Sequence, residues 1–271
     1  MGISGLLPAL KDVQVTRHIS AYRGQTLGID AYVWLHRGAY GCAQKLVLGE
    51  RTDAYINYSM ARIRMLRHHG VEPYIVFDGD RLPAKSRTEE GREARRAESQ
   101  ARARQLLAEG KDKMAHDIFA KCVDVTPEMA YQLIKALRRE KVAYIVAPYE
   151  ADAQLAYLER CNVIDAVVTE DSDLLVFGCR TVLYKLDVNG SCVELRHDRL
   201  ASSHGLPLHG FTESQFRQMA ILSGCDYLDS IPGMGLKTAH RLLRKYQTVP
   251  KLLQAVRMEG MRVPETYHED L

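Results

Sequence analysis

The 271 residues are 46% hydrophobic and 26% charged, with a formal net charge of +3, the balance of a globular chain long enough to bury one substantial core. No apolar run approaches the roughly 20 residues a membrane span needs, and so small a net charge gives no argument for nucleic acid by itself. The six cysteines (Cys42, Cys122, Cys161, Cys179, Cys192 and Cys225) form no C-x-x-C pair, so neither a disulfide framework nor a zinc site is signalled and a reducing compartment is the simpler reading. The start, Met1-Gly2-Ile3-Ser4-Gly5-Leu6, lacks a signal-peptide charge pattern, and Leu6 stands where myristoylation wants Ser or Thr.

In chain order, residues 26–30 form a short apolar run ending in Asp30, and helical spacing follows through Tyr32, Leu35, His36 and Ala39. Residues 74–80 repeat this grammar: Tyr-Ile-Val-Phe, then Asp78-Gly79-Asp80. Two further runs, Val142 to Ala147 and Val163 to Val168, end in Tyr149-Glu150-Ala151-Asp152 and Thr169-Glu170-Asp171-Ser172-Asp173. Strands alternating with helices imply a mostly parallel, twisted α/β sheet flanked by helices, whose ligands bind at the carboxyl ends of strands. Acids gathered there would repel one another. Raised pKa values or divalent cations would relieve that, and carboxylate oxygens suit Mg²⁺.

Residues 81–104 carry Arg81, Lys85, Arg87, Arg92, Arg95, Arg96, Arg102 and Arg104 among Glu89, Glu90, Glu93 and Glu98. Helical spacing places Lys85, Arg92, Arg95 and Arg96 towards one side. This run reads either as a solvated helix laced with ion pairs or as an arm that steers phosphates. A second helical stretch, roughly 105–140, breaks at Thr126-Pro127, so 81–140 is an insertion between strands, consistent with a lid or arch. Residues 181–195 read as a hairpin around Asn189-Gly190 at the sheet edge. Thr212, with Gln215 three residues on, starts a helix running to about Leu222. The turn with Gly233, Gly235 and Lys237 offers main-chain N–H groups to an anion, or is an ordinary helical hairpin. It is no P-loop, since Leu236 precedes Lys237 and no strand leads in.

Several motifs in this order resemble the flap endonuclease (XPG-like) 5′ nuclease superfamily over essentially the whole chain: Met1-Gly-Ile-Ser-Gly-Leu-Leu7, Trp34-Leu-His-Arg-Gly-Ala39, Val76-Phe-Asp-Gly79, Ala147 to Ala156, Thr169-Glu-Asp-Ser-Asp173 and Ile221-Leu-Ser-Gly-Cys-Asp-Tyr227. Trp34–Ala39 and Ser223–Tyr227 are more similar to its exonuclease branch than to its flap endonuclease branch. The resemblance implies hydrolysis of phosphodiesters at DNA 5′ ends, nicks, gaps and flaps by two Mg²⁺ ions, with Mn²⁺ able to substitute, about 3.5–4 Å apart. Asp30, Asp78, Glu150, Asp152, Asp171, Asp173 and Asp226 would be metal ligands, and Glu170 and Asp229 bystanders. Lys85 and Arg92 would contact the scissile phosphate, acting on developing charge. Arg95 and Arg96 would follow the nucleic acid. Tyr32 and His36 would stack on a terminal base or else pack on a helix face, and Gly2 would allow close approach of DNA.

By the same resemblance, residues 211–250 are a helix–two-turn–helix gripping duplex DNA, with K⁺ or Na⁺ on Ser223, Ser230 and the Met234 carbonyl. Pro232 departs from the expected turn residue. The expected division is 1–80 and 141–210 for the nuclease parts, 81–140 for the arch and 211–250 for the grip, in one 1–271 catalytic core. Mismatch-repair partners would bind a tail this chain lacks. A nuclear, monomeric DNA repair enzyme with no membrane association is expected. A dedicated flap endonuclease, a ribonuclease and a non-catalytic DNA-junction module are the alternatives.

Overall fold

The structure is a computed structural model and describes residues 2–228, 230–264 and 267. Met1 of the N-terminal motif, the bystander Asp229, the side chain of Arg87 and most of the segment after Pro264 therefore lie outside the described residues. Leu6–Ala9 forms α1 and Val15–His18 forms β1. β2 (Thr26–Asp30) feeds α2 (Ala31–Tyr40). Next come α3 (Ala43–Val47), α4 (Ala54–His68) and β3 (Glu72–Phe77). Three helices, α5 (Ser86–Ala108), α6 (Asp112–Cys122) and α7 (Pro127–Arg139), precede β4 (Ala143–Val146). After these come α8 (Ala151–Arg160), β5 (Ala166–Val168), α9 (Asp173–Val176), β6 (Thr181–Tyr184) and β7 (Ser191–Arg196). α10 (Glu213–Ser223), α11 (Leu236–Tyr246) and α12 (Val249–Met258) follow.

These elements form two compact units. One holds His18–Thr169 and Leu186–Ser191; the other holds the described residues of Met1–Arg17, Glu170–Lys185 and Cys192–Leu271. In the first unit, β2 pairs in parallel with both β3 and β5, and β3 pairs in parallel with β4. The mostly parallel sheet expected from the alternating runs is therefore present. Ile29, Ile75, Val76, Phe77 and Val167 are almost wholly buried in it, as strands covered on both faces require.

In the second unit, β6 and β7 are antiparallel, in register from Thr181↔Arg196 to Tyr184↔Val193. The hairpin reading of 181–195 holds for the strands but not for their place. β7 has β1 on its outer side, so the hairpin is not the edge. β1 escapes a hydrophobic reading because its sequence, Val-Thr-Arg-His, faces solvent along most of its length. The Asn-Gly turn also differs. Asp187 organises it, its Oδ1 accepting from the main-chain N–H of Asn189 (2.8 Å) and Ser191 (2.9 Å), so a carboxylate-centred loop replaces a two-residue turn. The helical stretch expected over 105–140 breaks twice, once between α5 and α6 and again at Thr126. The Thr126 hydroxyl accepts from Met129 N while Pro127 takes the first turn of α7.

Candidate metal centre and nucleic-acid interface

Parallel pairing puts the carboxyl ends of β2, β3 and β4 on one edge of the first unit, and an acid follows each. Asp30, the last residue of β2, is 8% exposed. It caps α2: its Oδ1 accepts from Tyr32 N (3.0 Å) and Val33 N (3.3 Å), and Oδ2 accepts from the Thr169 hydroxyl (3.4 Å). Asp78 stands one residue beyond β3 and its Oδ1 accepts from Ala151 N at 2.7 Å. Glu150 stands at the N-cap of α8 without capping it, and its carboxylate is ion-paired with Lys85. Asp152 follows in the first turn of the same helix.

The loops carrying Asp78 and Glu150 are stitched together. Gly79 N donates to Tyr149 O (2.6 Å) and Asp80 N to Pro148 O (3.0 Å). A β-carbon on Gly79 would collide with the Ala147 carbonyl and come within 2.7 Å of the Pro148 oxygen, so only glycine permits this approach.

Burial is the largest influence on Asp78 and pushes its pKa up; the charges of Glu150 and Glu89 add to this, against the Ala151 N–H and the Lys85 ammonium. The Lys85 side chain is only 10% exposed, and a buried ammonium needs the partner it has in Glu150. The described residues contain no group of three or more His, Cys, Asp or Glu arranged to hold a metal ion. Oxygens of Asp30 and Asp78 accept from main-chain N–H groups, and the Glu150 carboxylate meets Lys85. The donor set is nonetheless all oxygen, without Cys or His, which fits a hard divalent cation.

The second unit holds the remaining acids. The Asp171 Oδ1 accepts from Asp173 N at 2.9 Å, where α9 begins. Ile3 N donates to the Ser172 hydroxyl at 2.8 Å, which lays the N-terminal segment along this turn. Gly2 has φ +79, and a β-carbon there would collide with Asp171 Oδ1 and Ser172 Oγ and lie 2.7 Å from Ser172 N. Gly2 therefore lies close against Asp171 and Ser172. Asp226 lies in the turn after α10, bracketed by a bridge between Cys225 and Leu228.

Of the cation-loop residues, Ser223 donates to the Ala220 carbonyl (2.8 Å) and Met234 is buried. Ser230 is exposed. The chain returns close upon itself here, for a β-carbon on Gly224 would lie 3.3 Å from Ser230 Cβ. Gly233 has φ +81, Gly235 is the N-cap of α11 with no side-chain cap, and Lys237 is exposed in that helix's first turn.

On the first unit, α2, α4, α5 and α6 border an open cavity of about 660 Å³ lined by His36, Tyr40, Tyr58, Arg92, Arg95 and Arg96, among others. Sequence reasoning singled out His36 and the arginines but missed Tyr40 and Tyr58. The one signal for Tyr40 was its position four residues after His36 on α2. His36 keeps an exposed edge. Partial desolvation of the ring depresses its pKa, as does the Arg96 charge, against an upward pull from Asp124. Arg96 reaches Asp124 at 3.6 Å. Tyr32 has a raised pKa, from burial first and then from Asp78, Asp124 and Asp30, so it stays a neutral phenol beside the acids. Arg81, largely exposed, pairs with Glu93 (2.5 Å) and Glu89 (3.9 Å) at the base of α5.

Residues 1–99 match the XPG N-terminal domain and residues 141–226 the XPG I-region. Exodeoxyribonuclease 1 of Schizosaccharomyces pombe is 48% identical over 271 residues, 100% of this chain and 47% of that protein. The chain thus spans about half the length of that relative. Among solved structures, the catalytic core of Rad2 in complex with DNA substrate aligns with a TM-score of 0.71 at 19% identity, over 96% of this chain and 72% of that one. The Holliday junction-resolving enzyme GEN1 in complex with product DNA and Mg²⁺ aligns with a TM-score of 0.65 at 21% identity, over 98% and 62% of the two chains. These structural likenesses are of fold. With both XPG regions in order and the whole of this chain matched to part of an exonuclease at 48% identity, the chain belongs to the XPG family.

Proposed function

We propose that this chain is the catalytic core of a Mg²⁺-dependent 5′→3′ double-stranded DNA exonuclease that also cuts 5′ flaps. The observation that carries the reading is the row of acids at the carboxyl ends of β2, β3 and β4, with the Lys85 ammonium already lying on Glu150. The 48% identity to an exodeoxyribonuclease supports it. Asp30, Asp78, Glu150, Asp152, Asp171, Asp173 and Asp226 are the proposed ligands of two Mg²⁺ or Mn²⁺ ions, which when bound supply Lewis acidity and an activated water.

Lys85 and Arg92 hold the scissile phosphate and meet the charge that develops on it. Arg95 and Arg96 bind the strand electrostatically. Tyr32, neutral and enclosed, offers a ring face to the terminal base, as does His36. Gly233, Gly235 and Lys237 hold the duplex away from the cut, with K⁺ or Na⁺ at Ser223, Ser230 and the Met234 carbonyl. Work as a monomer in nuclear mismatch repair, with partners bound outside this chain, belongs to the same proposal.

The test is cleavage of a recessed-end duplex, a 5′ flap and an RNA duplex, with and without EDTA. Mg²⁺-dependent release of nucleotides from DNA 5′ ends, lost in the Asp171→Ala/Asp173→Ala protein that still binds DNA, is the expected result. Preferential cutting of RNA, or substantial turnover by the double variant, would refute the proposal.

A further inference from the structure

β4 is the outermost strand of its unit's sheet; among the described residues it pairs with β3 and with no strand on its other side. Its sequence, Ala143-Tyr144-Ile145-Val146, contains no charge and no proline, so apart from shortness it lacks the devices that blunt an exposed edge. Ala147 N–H is turned to the Phe77 carbonyl (2.8 Å). The alternation of a strand then turns the N–H and C=O of Tyr144 and Val146 away from β3. Outside that ladder, neither main chain has a hydrogen-bond partner among the described residues.

The elements that lead into this edge are strongly basic, with Lys135, Arg138 and Arg139 on α7 and Lys141 in the turn before β4. The Lys135 ammonium lies 4.8 Å from the centre of the Tyr131 ring, which is 51% exposed. Arg138 donates to the Tyr144 hydroxyl at 2.8 Å and stacks over its ring. Val146 is 49% exposed. Lys135, Arg138, Arg139 and Lys141 have no ion pair with any described residue. The neighbouring acid, Glu140, is taken by Arg64, and Arg67 covers its carbonyl.

We propose that the β4 edge is a docking site for an acidic, extended segment of a partner protein. The segment adds as a strand beside β4, its main chain bonding Tyr144 and Val146 and its carboxylates meeting Lys135, Arg138, Arg139 and Lys141. A nucleic acid would use the charges but neither the open main-chain row nor the exposed Val146 side chain. An uncharged strand would leave the four cations without a counterpart.

The test uses the whole chain and a blocked octapeptide alternating glutamate with valine, with a lysine–valine octapeptide as control. Titration calorimetry should show saturable binding of the acidic peptide alone, and hydrogen exchange should show slowed amides at Tyr144 and Val146. Val146→Pro removes one outward N–H, and Lys135→Glu/Arg139→Glu/Lys141→Glu reverses the flank without touching the strand. Each should weaken binding at least tenfold while DNA cleavage and melting temperature stay as in the parent. Equal binding of both peptides, or indifference to both variants, overturns the proposal. Protection of the same amides by a single-stranded oligonucleotide that displaces the peptide also overturns it, in favour of nucleic acid. A concentration-dependent dimer abolished by Val146→Pro overturns it in favour of a second copy of the chain.

Discussion

The acidic strand edge and the basic cavity lie on the same unit and are built by opposite means. Asp30 and Asp78 are fixed by main-chain N–H groups at strand ends and helix starts, and Glu150 by a nearly buried lysine. The cavity instead collects long side chains from four helices, whose charged ends sit on flexible stems. Clustered anions are costly and must be held rigidly until a cation neutralises them. Cations that track a polyanion tolerate play, because their attraction is long-ranged and screened by salt rather than set by exact geometry. The edge is accordingly expected to govern chemistry and the cavity to govern affinity.

Substitutions can break that division, beginning with the largest effect. Asp78→Ala should lower single-turnover cleavage by about 10³-fold while DNA binding, read by anisotropy, changes little; loss of both together would move Asp78 out of the chemistry. Lys85→Ala should cost about 10²-fold in kcat and much less in Kd. Matched losses would make Lys85 a binding residue like those of the cavity.

Gly79→Ala tests the stitching of the two acid-bearing loops. The collision with the Ala147 carbonyl should cost about 1–3 kcal/mol of stability in urea unfolding, with cleavage falling beyond what the unfolded fraction explains. Arg95→Ala/Arg96→Ala should weaken DNA binding about tenfold and reduce the slope of log K against log salt by about 2, leaving kcat near the parent value. A fall in kcat with an unchanged salt slope would place these arginines with the edge.

How far the sequence disclosed these regions follows from how each is built. An apolar run that ends in Asp30 or Asp78 marks both a strand end and a charged site within a few residues, and the Thr212–Gln215 capping box forms as its spacing predicts. Information this local is legible. The ion pair of Lys85 with Glu150 joins residues far apart in sequence, and the stitching at Gly79 likewise depends on two distant loops. Neither leaves a periodic signal. β1 was illegible because an outer strand with exposed polar residues carries no hydrophobic alternation. Tyr40 and Tyr58 were passed over because a tyrosine on a helix looks the same in a sequence whether it lines a cavity or covers a core.

In the proposed function, the acids at these strand and turn ends hold cations. Anomalous diffraction from crystals soaked in Mn²⁺ tests it most directly. Manganese peaks at coordination distance from the carboxylates of Asp78 and Asp171, with Lys85 withdrawn from Glu150, are the expected result. Fully occupied manganese elsewhere on the protein and none at these residues, under conditions where DNA is cut, would contradict it.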